Sequence, residues 1–246
     1  MKRGWVLTGV FFLLVAYVAY AFYSTRNASW RTANRQSANI SPKPSAFSDA
    51  IVQVFYARTF GWRGKFAVHS WIAYKEKNAS DYVVTEVLGW RKFRQMPVVS
   101  VEIGEPDRIW FDNVPVVLQE LRGPKAERAI EDIKNAIQTY SYPNEYILWP
   151  GPNSNSYIAH LIRSTRDLTV ELPANAIGKD RLMGKRLWDW SQTGKGIQFS
   201  LAGLFGVTLG LHEGVEINVL TLCFGVDLLR PAIKLPFVGR LGIKDK

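Results

Sequence analysis

Hydrophobic residues at the start of the chain form one uninterrupted run that is followed by a polar stretch. The run covers residues 4–23, follows Lys2 and Arg3, and has no polar face. A run of this length can cross the hydrocarbon layer of a membrane as a helix. Residues 1–23 are therefore predicted to be a signal anchor or a signal peptide, and residues 24–46, rich in Ser, Asn, Arg and Pro, a polar tether.

From residue 47 onwards, apolar runs rich in β-forming residues are separated by turns. The runs at 50–57, 66–74 and 82–87 are separated by a glycine-containing turn and a polar turn. This spacing predicts three adjacent antiparallel strands, and residues 98–103 add a further extended segment.

The period then changes to that of an amphipathic helix. Apolar residues at i, i+3 and i+4 predict a helix over 124–140, and Asn153 or Ser154 is placed to cap a second helix that ends near Arg163. From Gly196, glycine alternates with β-formers, which predicts a meander of two or three strands. The predicted fold class is α+β: one domain over residues 47–246, in which two main helices pack on an antiparallel sheet and the meander follows.

Composition narrows the possible functions. The 246 residues are 47% hydrophobic and include nine tryptophans, which excludes a disordered chain. The net charge of +10 favours contact with anionic lipid or an acidic envelope polymer, and no recognition helix or RNP-like strand points to nucleic acid. Cys223 is the single cysteine, so no intrachain disulfide can form.

Two polar sites lie where a packed core does not require them. His69 is on the second predicted strand, and Glu86 is on a neighbouring strand. Asn153, Ser154 and Asn155 begin the second helix, where free backbone N–H groups can stabilise an oxyanion and an imidazole could take the proton of a hydroxyl. The structural alternative is a helix cap and a strand histidine that binds a backbone carbonyl.

The other tryptophans, histidines and loop residues give weaker indications of a functional site. Trp71 and Trp149 are predicted to be cleft walls, and His160 lies on a different face of the second helix from Ser154. His212, Glu213 and Glu216 surround a predicted turn and offer too few ligands for a metal site, and residues 171–180 form a loop that could cover a cleft. We expect neither a metal nor a cofactor.

The segments AVHSWI, WPGPNSNSYIAHLIR and ELPANAIGKD, together with the glycine-rich end, carry a resemblance that extends over residues 47–242. They resemble the bacterial family called domain of unknown function 3750, which implies a bacterial origin and no particular activity. A more distant similarity is to the permuted papain-fold hydrolases of the PPPDE type, in which a strand histidine precedes an Asn-Cys-Asn nucleophile motif. That resemblance implies a papain-like core, with His69 as the base and Ser154 at the nucleophile position. Serine departs from the pattern, because a thiol partly ionises beside an imidazole whereas a hydroxyl must lose its proton during attack.

Together these features suggest a papain-like hydrolase or acyltransferase that cleaves an amide or ester bond in the cell envelope. One alternative is a non-catalytic binding or structural protein that keeps a degenerate papain-like cleft. Another is a protein whose C-terminal strands join an oligomeric or outer-membrane sheet. We expect a single-pass protein of the bacterial inner membrane with its domain in the periplasm. It would instead be released into the periplasm if the chain is cleaved after Ala19-Tyr20-Ala21. The oligomeric state stays open.

Overall fold

The computed structural model describes residues 2–25 and 28–243. Its α-helices are α1 (Lys2–Ser24), α2 (Pro124–Gln138) and α3 (Ser154–Ser164), and short 3-10 helices cover Pro44–Ala46, Gly61–Lys65 and Gly89–Arg94. The first five strands are β1 (Ile51–Arg58), β2 (Val68–Lys75), β3 (Val83–Val87), β4 (Val99–Ile103) and β5 (Val116–Arg122). The other seven are β6 (Trp188–Trp190), β7 (Gly196–Leu201), β8 (Phe205–Gly210), β9 (Gly214–Val219), β10 (Leu222–Asp227), β11 (Ala232–Leu235) and β12 (Gly239–Gly242).

The first sheet has five strands in the order β4-β3-β2-β1-β5, and neighbouring strands are antiparallel. Its two faces bury different residues, because successive side chains of a strand point to opposite sides. Val68, Ile72 and Tyr74 of β2 pack in the core that includes α2 and α3, whereas Trp71 and Ala73 pack in a smaller core on the other face. This alternation decides where His69 points.

The second sheet is a meander of seven strands in the order β12-β11-β10-β9-β8-β7-β6. The prediction of two or three strands was wrong because the apolar stretch from Val215 to Val226 divides at the Leu220–Thr221 turn into β9 and β10. In addition, β6, β11 and β12 are only three or four residues long and carry little periodicity. The predicted α+β class and the antiparallel arrangement are confirmed.

The segment predicted to be a tether lies along the first sheet in its later part. Asp107 accepts hydrogen bonds from the Ser37 hydroxyl at 2.7 Å and from the backbone N–H of Ser41 at 2.9 Å. The Tyr82 hydroxyl donates to the Pro42 carbonyl at 2.9 Å. A buried carboxylate thus holds residues 37–41 against the domain.

The N-terminal helix α1 contacts the Gly61–Lys65 turn: the ring of Phe22 stacks on that of Trp62 at 4.7 Å, and the Tyr17 hydroxyl donates to the Lys65 carbonyl at 3.2 Å. No helix among residues 2–25 and 28–243 has both the length and the apolar character needed to cross a membrane. Whether residues 1–23 anchor or export the chain stays a prediction. Met1 of that segment and residues 26–27 of the predicted tether lie outside the described residues.

Candidate functional site

His69 leaves β2 on the sheet face opposite the helices, together with Trp71. Its Nε2 atom lies 2.8 Å from Oε2 of Glu86, which projects from β3 on the same face. Each residue is only 6% exposed. The sequence-predicted pair is thus brought together.

Arg108 completes a three-residue network. Its guanidinium donates to the second oxygen of Glu86 and lies over the rings of Trp71 and Trp110, 5.3 and 5.2 Å from their centroids. The Trp110 ring stacks on the His69 imidazole at 3.9 Å with an interplanar angle of 12°. The Trp71 ring also stacks on the imidazole, at 5.8 Å, and the two aromatic contacts hold the imidazole in one orientation.

Burial and charge set the protonation of this network. Burial lowers the pKa of His69, which outweighs the opposing hydrogen bond and charge of Glu86. Burial acts to raise the pKa of Glu86, but the Arg108 charge and the His69 hydrogen bond lower it overall. A neutral imidazole beside an ionised carboxylate must donate through Nε2, so the lone pair available to accept a proton is on Nδ1.

The start of α3 is built around Asn153. Its Oδ1 accepts from the backbone N–H groups of Asn155 at 3.0 Å and Ser156 at 3.2 Å, and the Ser156 hydroxyl accepts from the Asn153 N–H at 2.8 Å. This reciprocal pair is a capping box. The predicted cap is confirmed, with Asn153 as the N-cap and Ser154 as the first helical residue.

Asn155 ties the helix start to the sheet and to the 171–180 loop. Its Nδ2 donates to the carbonyls of Val68 and Ile177, both at 3.0 Å, and its Oδ1 accepts from the Ser70 hydroxyl at 2.9 Å. The Nδ2 of Asn153 likewise donates to the Leu148 and Ile177 carbonyls. All amide hydrogens of both asparagines are therefore used, and neither side chain has one left for an oxyanion.

Ser154 differs from its neighbours because its hydroxyl and its backbone N–H have no hydrogen-bond partner in the described part of the chain. The residue is 8% exposed. A free N–H at a helix N-terminus lies in the positive field of the helix dipole. Any oxyanion support from this helix start comes from that N–H.

One cleft of about 770 Å³ connects the two sites. His69 lines it from the sheet, and Asn153, Ser154 and Asn155 line it from the start of α3. Its remaining walls are mainly apolar, and they include the aromatic residues Trp62, Phe66, Trp90, Phe93, Trp110 and Trp149. Arg63 and Lys92 are the charged side chains among its described lining residues, which include no carboxylate.

His69 and Ser154 reach this cleft from opposite faces of the sheet. Among the described residues no hydrogen bond joins them directly, so a water molecule or a substrate atom must lie between them for a proton to pass. The structure brings the two sites to one cavity, and it does not bring them into contact.

The two tryptophans predicted to be cleft walls differ. Trp149 lines the cleft and donates from Nε1 to the Leu220 carbonyl at 3.0 Å. Trp71 is not a wall: it is fully buried, because it stacks on Phe55 at 5.4 Å and donates from Nε1 to the Pro106 carbonyl at 2.7 Å. Trp71 therefore packs beside His69 in the smaller core and does not face the cleft.

The other histidines lie elsewhere. Nε2 of His160 is 3.1 Å from the Ala136 carbonyl of α2, and Nε2 of His212 is 3.4 Å from Nζ of Lys195. Glu213 accepts from the hydroxyl and N–H of Thr193, and Glu216 accepts from Lys179 and Lys234. No cluster of three His, Cys, Asp or Glu side chains suited to a metal occurs in the described part of the chain.

Sequence reasoning missed Arg108, Trp110 and the Ile177 carbonyl. Arg108 and Trp110 follow β4 in a segment without regular periodicity, and only the path of the chain brings them beside β2 and β3. The glycine next to Ile177 is the sequence signal for the position of the Ile177 carbonyl. Gly178 has a φ of +92°, and a Cβ there would lie 2.6 Å from Nδ2 of Asn153. Glycine at this position allows the loop to approach the helix cap closely.

A family model described as "Protein of unknown function (DUF3750)" matches residues 49–181, which is more than half of the chain. The match contains β1 to β5, α2, α3 and every residue of the cleft network discussed above, and it ends before β6. Neither the curated proteins nor the solved structures contain a match.

Proposed function

The chain belongs to the family described as Protein of unknown function (DUF3750), and because that description gives no reaction, we propose from the cleft that the protein is a hydrolase or acyltransferase acting on an ester or amide bond in the cell envelope. One observation carries the proposal. A neutral imidazole oriented by a carboxylate shares a cleft with a helix-start serine whose hydroxyl and N–H are both without partners in the described structure.

In the proposed reaction, the Ser154 hydroxyl oxygen attacks the substrate carbonyl carbon while its proton passes to Nδ1 of His69 through one intervening water. Glu86 stabilises the resulting imidazolium, and the Ser154 N–H donates to the oxyanion. Collapse of the tetrahedral intermediate breaks the bond to the leaving alcohol or amine, which takes the proton from Nδ1. Water, or a second alcohol or amine, then attacks the acyl-serine by the same steps and releases the acyl product.

The cleft walls favour an apolar acyl group. Phe93 is 89% exposed and Leu148 56% exposed at the cleft, so apolar surface is open to an incoming chain. Burying such a group contributes roughly 25 cal/mol per Å² of apolar surface removed from water. The resemblance of Asn153-Ser154-Asn155 to the Asn-Cys-Asn motif of the permuted papain-fold hydrolases supports Ser154 as the nucleophile.

The test is labelling with a fluorophosphonate, which reacts with activated serines. We expect labelling of the full chain, loss of labelling in Ser154→Ala, and a strong reduction in His69→Gln. Ser164→Ala is the matched control, because Ser164 is an exposed serine at the other end of α3 and its loss should change nothing.

Ser154→Cys provides an independent readout with a thiol probe. The native thiol gives little background because burial raises the pKa of Cys223 to about 12. Reaction of the new cysteine that depends on His69 would support the proposal. If the wild type is not labelled and the new cysteine reacts no faster than an exposed thiol, the proposal is wrong.

One observation favours a second candidate, a binding protein without catalysis. His69 is packed against Trp110 on the far face of the sheet and makes no hydrogen bond to Ser154 in the described structure. Such a protein would bind a fluorescent fatty acid in the cleft equally well as wild type and as Ser154→Ala, while neither form turns over its esters.

A further inference from the structure

The second sheet has an apolar outer surface. Along β6 to β12 the outward side chains are apolar on every strand, and we call this surface the apolar face. One row of cross-strand neighbours runs unbroken over the whole sheet: Trp190, Ile197, Leu209, Val215, Val226, Ile233 and Leu241. The exposure of these residues ranges from 40% for Val215 to 58% for Trp190.

The inner surface of the same sheet is polar. Gln198, Thr208, Glu216 and Lys234 project inwards and are each at most 3% exposed. Glu216 accepts from Lys179 and from Lys234, both at 3.0 Å, and Lys234 also pairs with Glu171. A half-buried sheet in water normally shows the reverse arrangement, with apolar residues inside. The buried ion pairs on one side and the exposed apolar row on the other show that the apolar residues of the meander face outwards.

The apolar face is as large as the largest apolar patch of a typical monomeric protein, and such patches are often functional. Seven strands at about 4.8 Å spacing make it about 29 Å wide, and strands of about five residues make it roughly 16 Å long, or on the order of 450 Å² in projection. A contiguous exposed patch of this size is therefore a candidate interaction site.

The charges around the apolar face are arranged asymmetrically. Glu213, Glu216 and Asp227 are each 2% exposed, and Asp189 pairs with Arg186 at 3.0 Å. In contrast, Lys185, Arg186 and Lys195 are exposed at the edges of the sheet. Three of these four carboxylates are thus buried and the fourth is paired, whereas the ammonium groups of Lys185 and Lys195 are open to an approaching surface, which complements anionic lipid headgroups.

The chemistry of the apolar face favours lipid over protein. A protein interface normally provides about one hydrogen bond per 100–200 Å², and the row described above offers a single side-chain donor, the indole of Trp190. Trp188 and Trp190 lie on the edge strand β6, the position that suits tryptophan at a boundary between hydrocarbon and headgroups.

We propose that the apolar face lies against the surface of an anionic lipid bilayer, with its aliphatic and aromatic side chains among the acyl chains and its basic edge residues on the headgroups. This contact is independent of the proposed hydrolysis, because every residue that makes it lies beyond the cleft and beyond the family match at 49–181.

The experiment places an environment-sensitive fluorophore on the apolar face of the full chain. Ile217→Cys, an exposed position of β9, is labelled with a nitrobenzoxadiazole probe, and the buried Cys223 is not expected to compete. The matched control carries the probe at Lys125→Cys, an exposed position on α2. Each protein is reconstituted with phosphatidylcholine vesicles with or without 30% phosphatidylglycerol, a fraction of about one third chosen to mimic an anionic leaflet.

We expect a blue shift and quenching by spin-labelled lipid for the Ile217→Cys probe, stronger in the anionic vesicles, and neither effect for Lys125→Cys. Ile217→Glu should weaken binding to the anionic vesicles roughly tenfold or more, whereas Lys125→Gln, with the same change in net charge, should not. Circular dichroism checks that both variants fold.

Two results would overturn the proposal. A blue shift without vesicles that rises with protein concentration, accompanied by a dimer in light scattering, would show that a second copy covers the face. A probe that stays in water in both vesicle types would show that lipid does not contact it.

Discussion

His69 and Glu86 project from neighbouring strands onto one sheet face, where their side chains meet at 2.8 Å between Nε2 and Oε2. The same carboxylate also accepts from Arg108, so one buried group orients an imidazole and neutralises a guanidinium. Removing the charge of Glu86 should therefore affect both reactivity and stability.

Glu86→Gln is expected to lower the rate of fluorophosphonate labelling by roughly 100-fold, because an amide no longer stabilises the imidazolium. It should also lower the free energy of unfolding by about 1–3 kcal/mol at pH 7, because Arg108 loses its ionised partner. Labelling kinetics and urea unfolding measure the two effects. Glu127→Gln, an exposed residue of α2, makes the same chemical change and should leave both unchanged.

Stability should fall in acid because of the same network. The pKa of Glu86 is lowered in the folded protein, so its contribution is present above the ordinary value of 4.5 and is lost as the pH falls below it. The pKa of His69 is also lowered, so folding disfavours protonation and stability declines as the pH falls below 6.5.

An NMR titration tests the His69 part directly, with its signal identified by its absence in His69→Gln. Protonation of His69 at or above pH 6.5 would contradict the assigned neutral imidazole. If the hydrolase proposal holds, the acid limb of the labelling rate lies below pH 6.5 as well.

Gly178→Ala should destabilise the start of α3. An added Cβ would lie 2.6 Å from Nδ2 of Asn153 and would push the loop away from the helix cap. Gly184→Ala is the matched control, since Gly184 also has a positive φ, +62°, but nothing lies within 4 Å of its Cβ position.

Both variants place alanine at a positive φ, which L residues rarely adopt, so backbone strain is present in each of them. The additional loss in Gly178→Ala should be about 1–3 kcal/mol, the range for losing an N-cap with its buried hydrogen bonds. Thermal unfolding compares the two, and equal melting temperatures would contradict the close approach.

Asp180→Asn should stabilise the protein at alkaline pH. Asp180 is 2% exposed, and burial raises its pKa to about 7 from an ordinary value of 3.8. The neutral form is favoured by folding, so stability is full below about 3.8 and is lost as the pH rises towards 7. Asparagine does not ionise and avoids this loss.

The difference in melting temperature between Asp180→Asn and wild type should therefore increase from pH 4 to pH 8, by roughly 3 °C or more. Asp81→Asn makes the same substitution at an exposed position and should give a constant difference. If the difference in melting temperature between Asp180→Asn and wild type is the same at pH 4 and pH 8, burial does not disfavour the ionised carboxylate of Asp180.

The sequence predicted those parts of the fold in which periodicity is local. The 124–140 prediction corresponds to α2 at Pro124–Gln138, and the capped second helix corresponds to α3 at Ser154–Ser164. Strand β5 was missed, because Val116–Arg122 mixes apolar and charged residues without a regular period. The meander was underestimated because the apolar stretch at 215–226 forms two strands rather than one, and because β6, β11 and β12 are only three or four residues long.

The site was predictable to a similar degree. His69 and Glu86 could be paired because their strands are adjacent in sequence, and Asn153 because caps have local signatures. Arg108 could not be found in this way, since 22 positions separate it from Glu86 and a non-repeating segment positions its guanidinium. The assignment of Trp71 to the cleft failed because its indole turns into the smaller core.

The carbonyl of Ile177 accepts from both Asn153 and Asn155, and only two residues later the Lys179 ammonium enters the second sheet to meet Glu216. The stretch from Ile177 to Lys179 therefore contacts both the start of α3 and the second sheet. A chain shortened to the family match would end at residue 181 and keep the first role of this stretch while losing the second. Its Lys179 would then lose the Glu216 carboxylate of the meander, so this ion pair links the two sheets although none of their strands pair within residues 2–25 and 28–243.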